Sequence, residues 1–186
     1  MTTRTLGGWA LLTNAALALV LFFAMSALAG GDTIYQAIGE VLSLTLVIGL
    51  VAIWSMLPHT ELLGRLGLIG LWYLGISTAI AFVVRLAFLF TTIDVGEVIP
   101  FSSAAFGLVG CLLVGGVTIR TKAFHSVFGW LLIVFGVLNL VGGLLPQGVV
   151  TTVLGGVGLL ASVGAMGGYG WVLLGGSRGG VPLNLY

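Results

Sequence analysis

Ionisable residues in this chain are confined almost wholly to short breaks between long apolar runs. A helix needs roughly 20 apolar residues to cross the hydrocarbon core of a bilayer. Runs of that order cover residues 6–29, 34–57, 64–91, 101–119, 124–145 and 148–175. The breaks carry turn chemistry: Gly30-Gly31-Asp32, Pro58-His59-Thr60-Glu61, the segment 91–100 with Asp94 and Glu97, Arg120-Thr121-Lys122, and Pro146-Gln147-Gly148. All four prolines (58, 100, 146 and 182) fall at run ends or in the tail, where a missing N–H costs a helix little.

Composition agrees with lipid as the main solvent. Hydrophobic residues make up 59% of the 186 and charged residues 6%, against roughly 25% charged in a soluble domain. A water-facing surface cannot be built from so few charges. The expected fold is therefore all-α and integral to the membrane: a bundle of six transmembrane helices in a single transmembrane domain over residues 1–186.

Lysine and arginine set the orientation. Six crossings put Arg4, Arg65, Arg120, Lys122 and Arg178 on one side and Asp32, Asp94 and Glu97 on the other, leaving Arg85 within a span. The basic side is expected to be cytoplasmic, with both termini inside. Trp9, Trp54, Trp130 and Trp171 fall near the inner helix ends, as an interfacial belt requires, while Trp72 sits deeper. Arg4, the following apolar run and Ala27-Leu28-Ala29 imitate a cleavable signal peptide. The run is longer than a signal core of roughly 7–15 residues, so a retained first helix is expected.

Several function classes drop out. Nucleic-acid binding needs clustered Lys and Arg, and the chain has six in all with a net charge of +1. Cys111 is the only cysteine, so an intrachain disulfide and a multi-cysteine metal site are excluded. His59-Thr60-Glu61 lacks the zinc-protease spacing, and no metal site is expected. The stretch Gly164-Ala165-Met166-Gly167-Gly168-Tyr169-Gly170 lies in an apolar span with no lysine after it, which argues against a phosphate loop. No hydrolytic pair, catalytic triad or Cys–His pair is assembled by the spacing, and the chain reads as a non-enzyme.

The candidate site residues are the ionisable groups inside or beside the spans. Arg85, near the outer end of the third run, is the most informative, because charge at membrane depth marks a functional site by default. Glu40 lies at comparable depth in the second run, and Asp94 and Glu97 follow in the next loop as other partners. Arg85 is expected in an intramembrane ion pair or snorkelling outward. The alternative is a ligand contact for an anion, a lipid headgroup or a quinone. His59 and His125, near the inner ends of the second and fifth runs, read as polar interfacial residues. The alternative is ligation of haem or a chlorophyll-type pigment. No cofactor is expected apart from lipid.

Small residues supply the packing logic, since helices in lipid gain by close backbone approach rather than by hiding apolar surface. Ala161, Gly164, Ala165 and Gly168 share one face of the sixth run; Gly64, Gly67 and Gly70 mark the third, and Gly129, Gly136 and Gly143 the fifth. These faces serve packing within the chain or docking of another subunit. Asn14 and Asn139 are expected as buried amides bonding across helices. Ser77-Thr78 and Thr151-Thr152 are expected to bond carbonyls of their own helices.

The segments Gly64-Arg65-Leu66-Gly67-Leu68-Ile69-Gly70, after a polar turn, and Gly129-Trp130-Leu131-Leu132-Ile133, opening a later run, carry a resemblance over residues 39–146. The chain resembles a loosely defined group of uncharacterised multi-pass bacterial membrane proteins with six helices. The resemblance implies a bacterial cell membrane and no particular activity. The leading expectation is a non-catalytic accessory or structural subunit of a larger membrane complex, of an energy-transducing kind for example, with lipids and other membrane subunits as partners. The tail 179–186 is a candidate contact with such a partner. A small-molecule or ion transporter or channel is the second reading. A haem-, pigment-, quinone- or lipid-binding membrane protein is the third.

Overall fold

Backbone polar groups in hydrocarbon must bond within their own segment, and an uninterrupted helix does this without help from a neighbour. A computed structural model of the chain describes residues 2–25, 32–56, 61–90, 98–121, 124–146 and 148–175; side chains at 22, 24–25, 32–40, 85–86, 88–90 and 98–101 are not described. These residues form six helices and no strand: α1 (Thr3–Met25), α2 (Asp32–Trp54), α3 (Leu62–Phe90), α4 (Val98–Thr121), α5 (Ser126–Leu144) and α6 (Val149–Leu173). Five helices are long and apolar enough to cross a membrane; in α2 the apolar stretch among the described residues is Val41–Trp54. Such helices are compatible with a multi-pass membrane protein.

Helix ends shift from the apolar runs for local reasons. α4 begins at Val98 rather than 101 because Pro100 sits in its first turn, where no intrahelical N–H is needed. α5 begins at Ser126 because His125, with extended backbone, accepts the Val127 N–H at Nδ1 over 3.3 Å. Thr151 and Thr152 hydroxyls donate to the Gly148 carbonyl at 2.7 and 3.0 Å, and the Gly148 N–H donates back to Thr151 at 2.8 Å. Gly175, at φ 92°, ends α6 in the left-handed conformation that glycine adopts at least cost.

Each helix packs on its chain neighbours, and α1 closes the ring against α6; the α2–α3 contact is the least extensive of the six. Glycine sets five of these seams. An added Cβ on Gly8 would lie 3.0 Å from the Gly170 carbonyl, and one on Gly170 2.8 Å from the Gly8 carbonyl, so α1 and α6 meet backbone to backbone. Gly49 abuts Leu11 between α1 and α2, and Gly70 and Gly110 face each other across α3 and α4. Gly115 and Gly129 do the same across α4 and α5, and Gly168 receives the Phe128 ring between α5 and α6. Gly64 and Gly67 near the start of α3 are buried as well.

The ring interior is filled by Leu11, Ile53, Val114, Leu132, Tyr169 and Leu173, each nearly or fully buried. The outer surface is apolar: Trp72 is 72% exposed and Phe23 68%, and all five tryptophans face outward. Trp9, Trp54, Trp130 and Trp171 lie toward one end of the bundle. At that end Arg4 locks the ring. Its Nε–H donates to the Leu173 carbonyl at 2.9 Å, in the last turn of α6 where carbonyls lack intrahelical partners, and its Nη2 donates to the Val172 carbonyl at 3.3 Å, which also accepts the Gly175 N–H at 3.1 Å. Arg4→Ala is expected to lower stability by about 1–2 kcal/mol, a half-exposed charged hydrogen bond. Thermal unfolding in detergent checks this, with Arg4→Lys recovering part of the loss; an unchanged melting temperature in Arg4→Ala would count against the lock.

Candidate functional site

Polar groups inside an apolar bundle are either consumed by packing or left for function. Most described ones are consumed. Asn14, 7% exposed, donates from Nδ2 to the Leu42 carbonyl at 2.7 Å and to the Thr45 hydroxyl at 3.0 Å, tying α1 to α2. Thr45 in turn donates to carbonyls of its own helix, Val41 at 2.9 Å and Leu42 at 3.0 Å. Thr118 and Tyr169 share a buried 2.9 Å hydrogen bond from α4 to α6, and Phe124 and Phe128 set their edges against the Tyr169 ring. No sequence signal marks that pair, because its members are 51 residues apart in different spans.

Two expectations about hydroxyls and amides are corrected. Thr78 does bond its own helix, donating to Leu74 at 2.8 Å, but Ser77 reaches across to α4. Ser77 Oγ donates to the Ser103 carbonyl at 2.8 Å and Ser103 Oγ donates to the Ser77 carbonyl at 3.0 Å, a reciprocal clamp allowed by the close α3–α4 approach. Asn139 is exposed rather than buried. It continues the buried stripe Gly129, Leu132, Gly136 by one turn, but the C-terminal end of α5 is uncovered there: Gly142 and Gly143 have open space where a Cβ would be.

The small-residue face of α6 is occupied within the chain. Ala161 and Ala165 are buried, an added Cβ on Gly164 would lie 2.9 Å from Leu131, and Gly168 holds Phe128. Cys111 is buried where α4 crosses Gly136 of α5. His125 is exposed; its Nδ1 caps α5 and its ring lies 5.9 Å from that of Phe128, so one of its two nitrogens is engaged by backbone. His59, Asp94, Glu97 and the tail 179–186 lie outside the described residues. Among the described residues no three His, Cys, Asp or Glu come together.

What stands out is a cavity of about 210 Å³ at the α2–α3 seam, lined by Ser43, Leu44 and Val47 of α2 and Thr78, Ala79, Phe82 and Val83 of α3. Leu44, Val47 and Val83 are exposed, so the cavity opens toward the outside of the ring rather than its centre. The Thr78 hydroxyl is already bonded to Leu74, and the remaining α3 wall is apolar. The described lining, apart from the Ser43 and Thr78 hydroxyls, suits a hydrocarbon segment.

Arg85 and Glu40 are the sequence candidates nearest this cavity. Their side chains lie outside the described atoms, but their backbone is helical and fixes their register. Positions three and four, or seven, apart share a helix face. Arg85 follows Phe82 by three and Thr78 by seven; Glu40 precedes Ser43 by three and Val47 by seven. Along the backbone both therefore come one turn after the described walls of the cavity.

Compared with protein-family models, curated proteins and solved structures, the chain matches none.

Proposed function

We propose that the chain is a multi-pass protein of a bacterial cell membrane, with both termini cytoplasmic, acting as a non-catalytic accessory subunit of a larger membrane complex. Lipid as solvent is supported by the apolar surface, where the largest side chains, including Trp72, Trp130 and Trp171, point away from the ring. The cytoplasmic assignment rests on Arg4, Arg65 and Arg120 at the tryptophan-bearing end.

The observation carrying the subunit reading is the outer part of the α5–α6 hairpin. Val149 is 82% exposed and Leu144 62%, and Gly142, Gly143, Gly148 and Gly155 have open space around them, whereas Gly129, Gly136, Gly164 and Gly168 of the same hairpin meet neighbouring helices. Uncovered glycine on a membrane helix is what a second helix needs for close approach. A transporter would need a polar path through the ring, and the side chains filling it at the level of Tyr169, Leu132 and Val114 are packed.

Two measurements test the proposal. Reporter domains fused at either terminus are expected to be active only in the cytoplasm; periplasmic activity at either end would refute the orientation. Extracted in mild detergent, the chain is expected to run in a particle heavier than one copy. Gly155→Leu should shrink that particle while leaving the melting temperature of the isolated chain unchanged, and a wild-type chain that runs as a lone monomer overturns the subunit reading.

A further inference from the structure

With the subunit reading above as premise, we infer that the partner is a second copy of this chain, docked so that α5 meets its counterpart at Asn139. One side chain carries this, rather than the apolar surface around it. Asn139 is exposed, and among the described residues its amide has no hydrogen-bond partner. The other described amide within a helix, Asn14, is bonded to α2, and the hydroxyls of Thr45, Ser77, Thr78, Ser103 and Thr118 are bonded too. α5, with 19 residues, is about 28 Å long, close to the thickness of the hydrocarbon core. When it spans that core, Asn139, five residues before Leu144, lies about 7.5 Å inside it, where no water reaches an amide. A polar group held there without a partner is costly, and a hydrogen bond to another helix relieves the cost.

Depth and complementarity select a second copy. Copies inserted with the same topology hold Asn139 at one level, so a two-fold axis along the membrane normal brings the two residues together without further adjustment. A carboxamide carries both an N–H donor and a carbonyl acceptor. Two of them related by that axis close a reciprocal pair of hydrogen bonds, each donating what the other accepts. A different protein would have to bring its own polar group to the same level. The short asparagine side chain demands close approach, and the backbone allows it. Gly143 follows Asn139 by one turn on the same face, is exposed, and would meet nothing within 4 Å with an added Cβ. In the other direction the face is taken, because Gly136 is closed against Cys111 of α4. The crossing is thereby confined to the C-terminal part of α5, where exposed Val137, Val141 and Leu144 flank it.

The experiment uses the full chain, carrying a donor or an acceptor fluorophore at its C-terminus and reconstituted in phosphatidylcholine vesicles, with energy transfer followed as lipid dilutes protein. Transfer between two copies that persists on dilution is expected. Asn139→Leu should weaken association about tenfold, since it removes two hydrogen bonds of the strength usual between membrane helices. Gly143→Leu should weaken it at least as much, and Asn139→Gln, which keeps the amide, should retain most of it. Because Asn139 bonds nothing within the described chain, Asn139→Leu is expected not to lower the melting temperature of the monomer in detergent, which separates loss of the dimer from misfolding. Equal association of wild type and folded Asn139→Leu overturns Asn139 as the contact. No transfer between copies, while the chain extracted from its native membrane still runs in a heavier particle, overturns the second copy as partner and leaves the subunit reading standing. No transfer together with a lone monomer on extraction overturns both.

Discussion

Gly129→Ala is expected to destabilise the bundle by about 3 kcal/mol, the upper end of the overpacking range for a single added methyl. The added Cβ would lie 2.6 Å from the Gly115 carbonyl and 2.8 Å from Ile119. The first of these is backbone, which cannot rotate aside as a side chain can. Gly115 stands in the reciprocal position, 2.7 Å from the Gly129 carbonyl, so relief requires moving α4 and α5 apart along their whole crossing. That motion also loosens Cys111 against Gly136. Gly143→Ala in the same helix is the matched control: its Cβ meets nothing within 4 Å, and the intrinsic preference for alanine over glycine, about 0.8–1 kcal/mol, makes it neutral or stabilising. Unfolding both variants by SDS titration in mixed micelles, followed by circular dichroism, checks the contrast. Equal effects from the two would mean that the α4–α5 crossing is not set by backbone approach.

Tyr169→Ala should be as damaging, whereas Tyr169→Phe should be mild. The Tyr169 ring is fully buried between Phe124 and Phe128 and bridges α6 to α4. Removing an aromatic ring from a soluble core costs about 3–5 kcal/mol. Part of that is transfer from water, which lipid largely removes, so the lost packing that remains is expected to be about 2–3 kcal/mol. Tyr169→Phe removes only the hydroxyl. Thr118 can then turn its own hydroxyl to a carbonyl of α4, and the loss is held to about 0.6–1.7 kcal/mol, the range for interhelical hydrogen bonds in membranes. The same titration separates the two; a phenylalanine variant as unstable as the alanine variant would mean the hydrogen bond, not the ring, holds α4 to α6.

Among the site residues, legibility tracked the range of the interaction. The Thr78 bond to Leu74 lies within one turn, and its residue type and helical spacing announce it. The face-sharing of Arg85 with Thr78 and of Glu40 with Val47 can also be counted along a sequence. That these faces border a common cavity cannot, since it depends on how far apart α2 and α3 stand. Arg4 read as a topology charge, and its bonds to Leu173 and Val172 became visible only when α1 closed the ring against α6. Asn139 failed in the other direction: its polarity within an apolar run argued for burial, but nothing local in α5 reports that its C-terminal turns lack a covering neighbour.

The amino-acid order alone determined that the described chain is helical, where its breaks fall, and which end collects cations and tryptophan. These follow from backbone hydrogen bonding and transfer of side chains into hydrocarbon, both summed over residues adjacent in the chain. The tertiary structure decided which glycines touch, which hydroxyls cross between helices, and that one seam stays open. Those depend on separations between helices, which in lipid are set by shape rather than by hydrophobicity, and shape is shared between residues far apart in sequence.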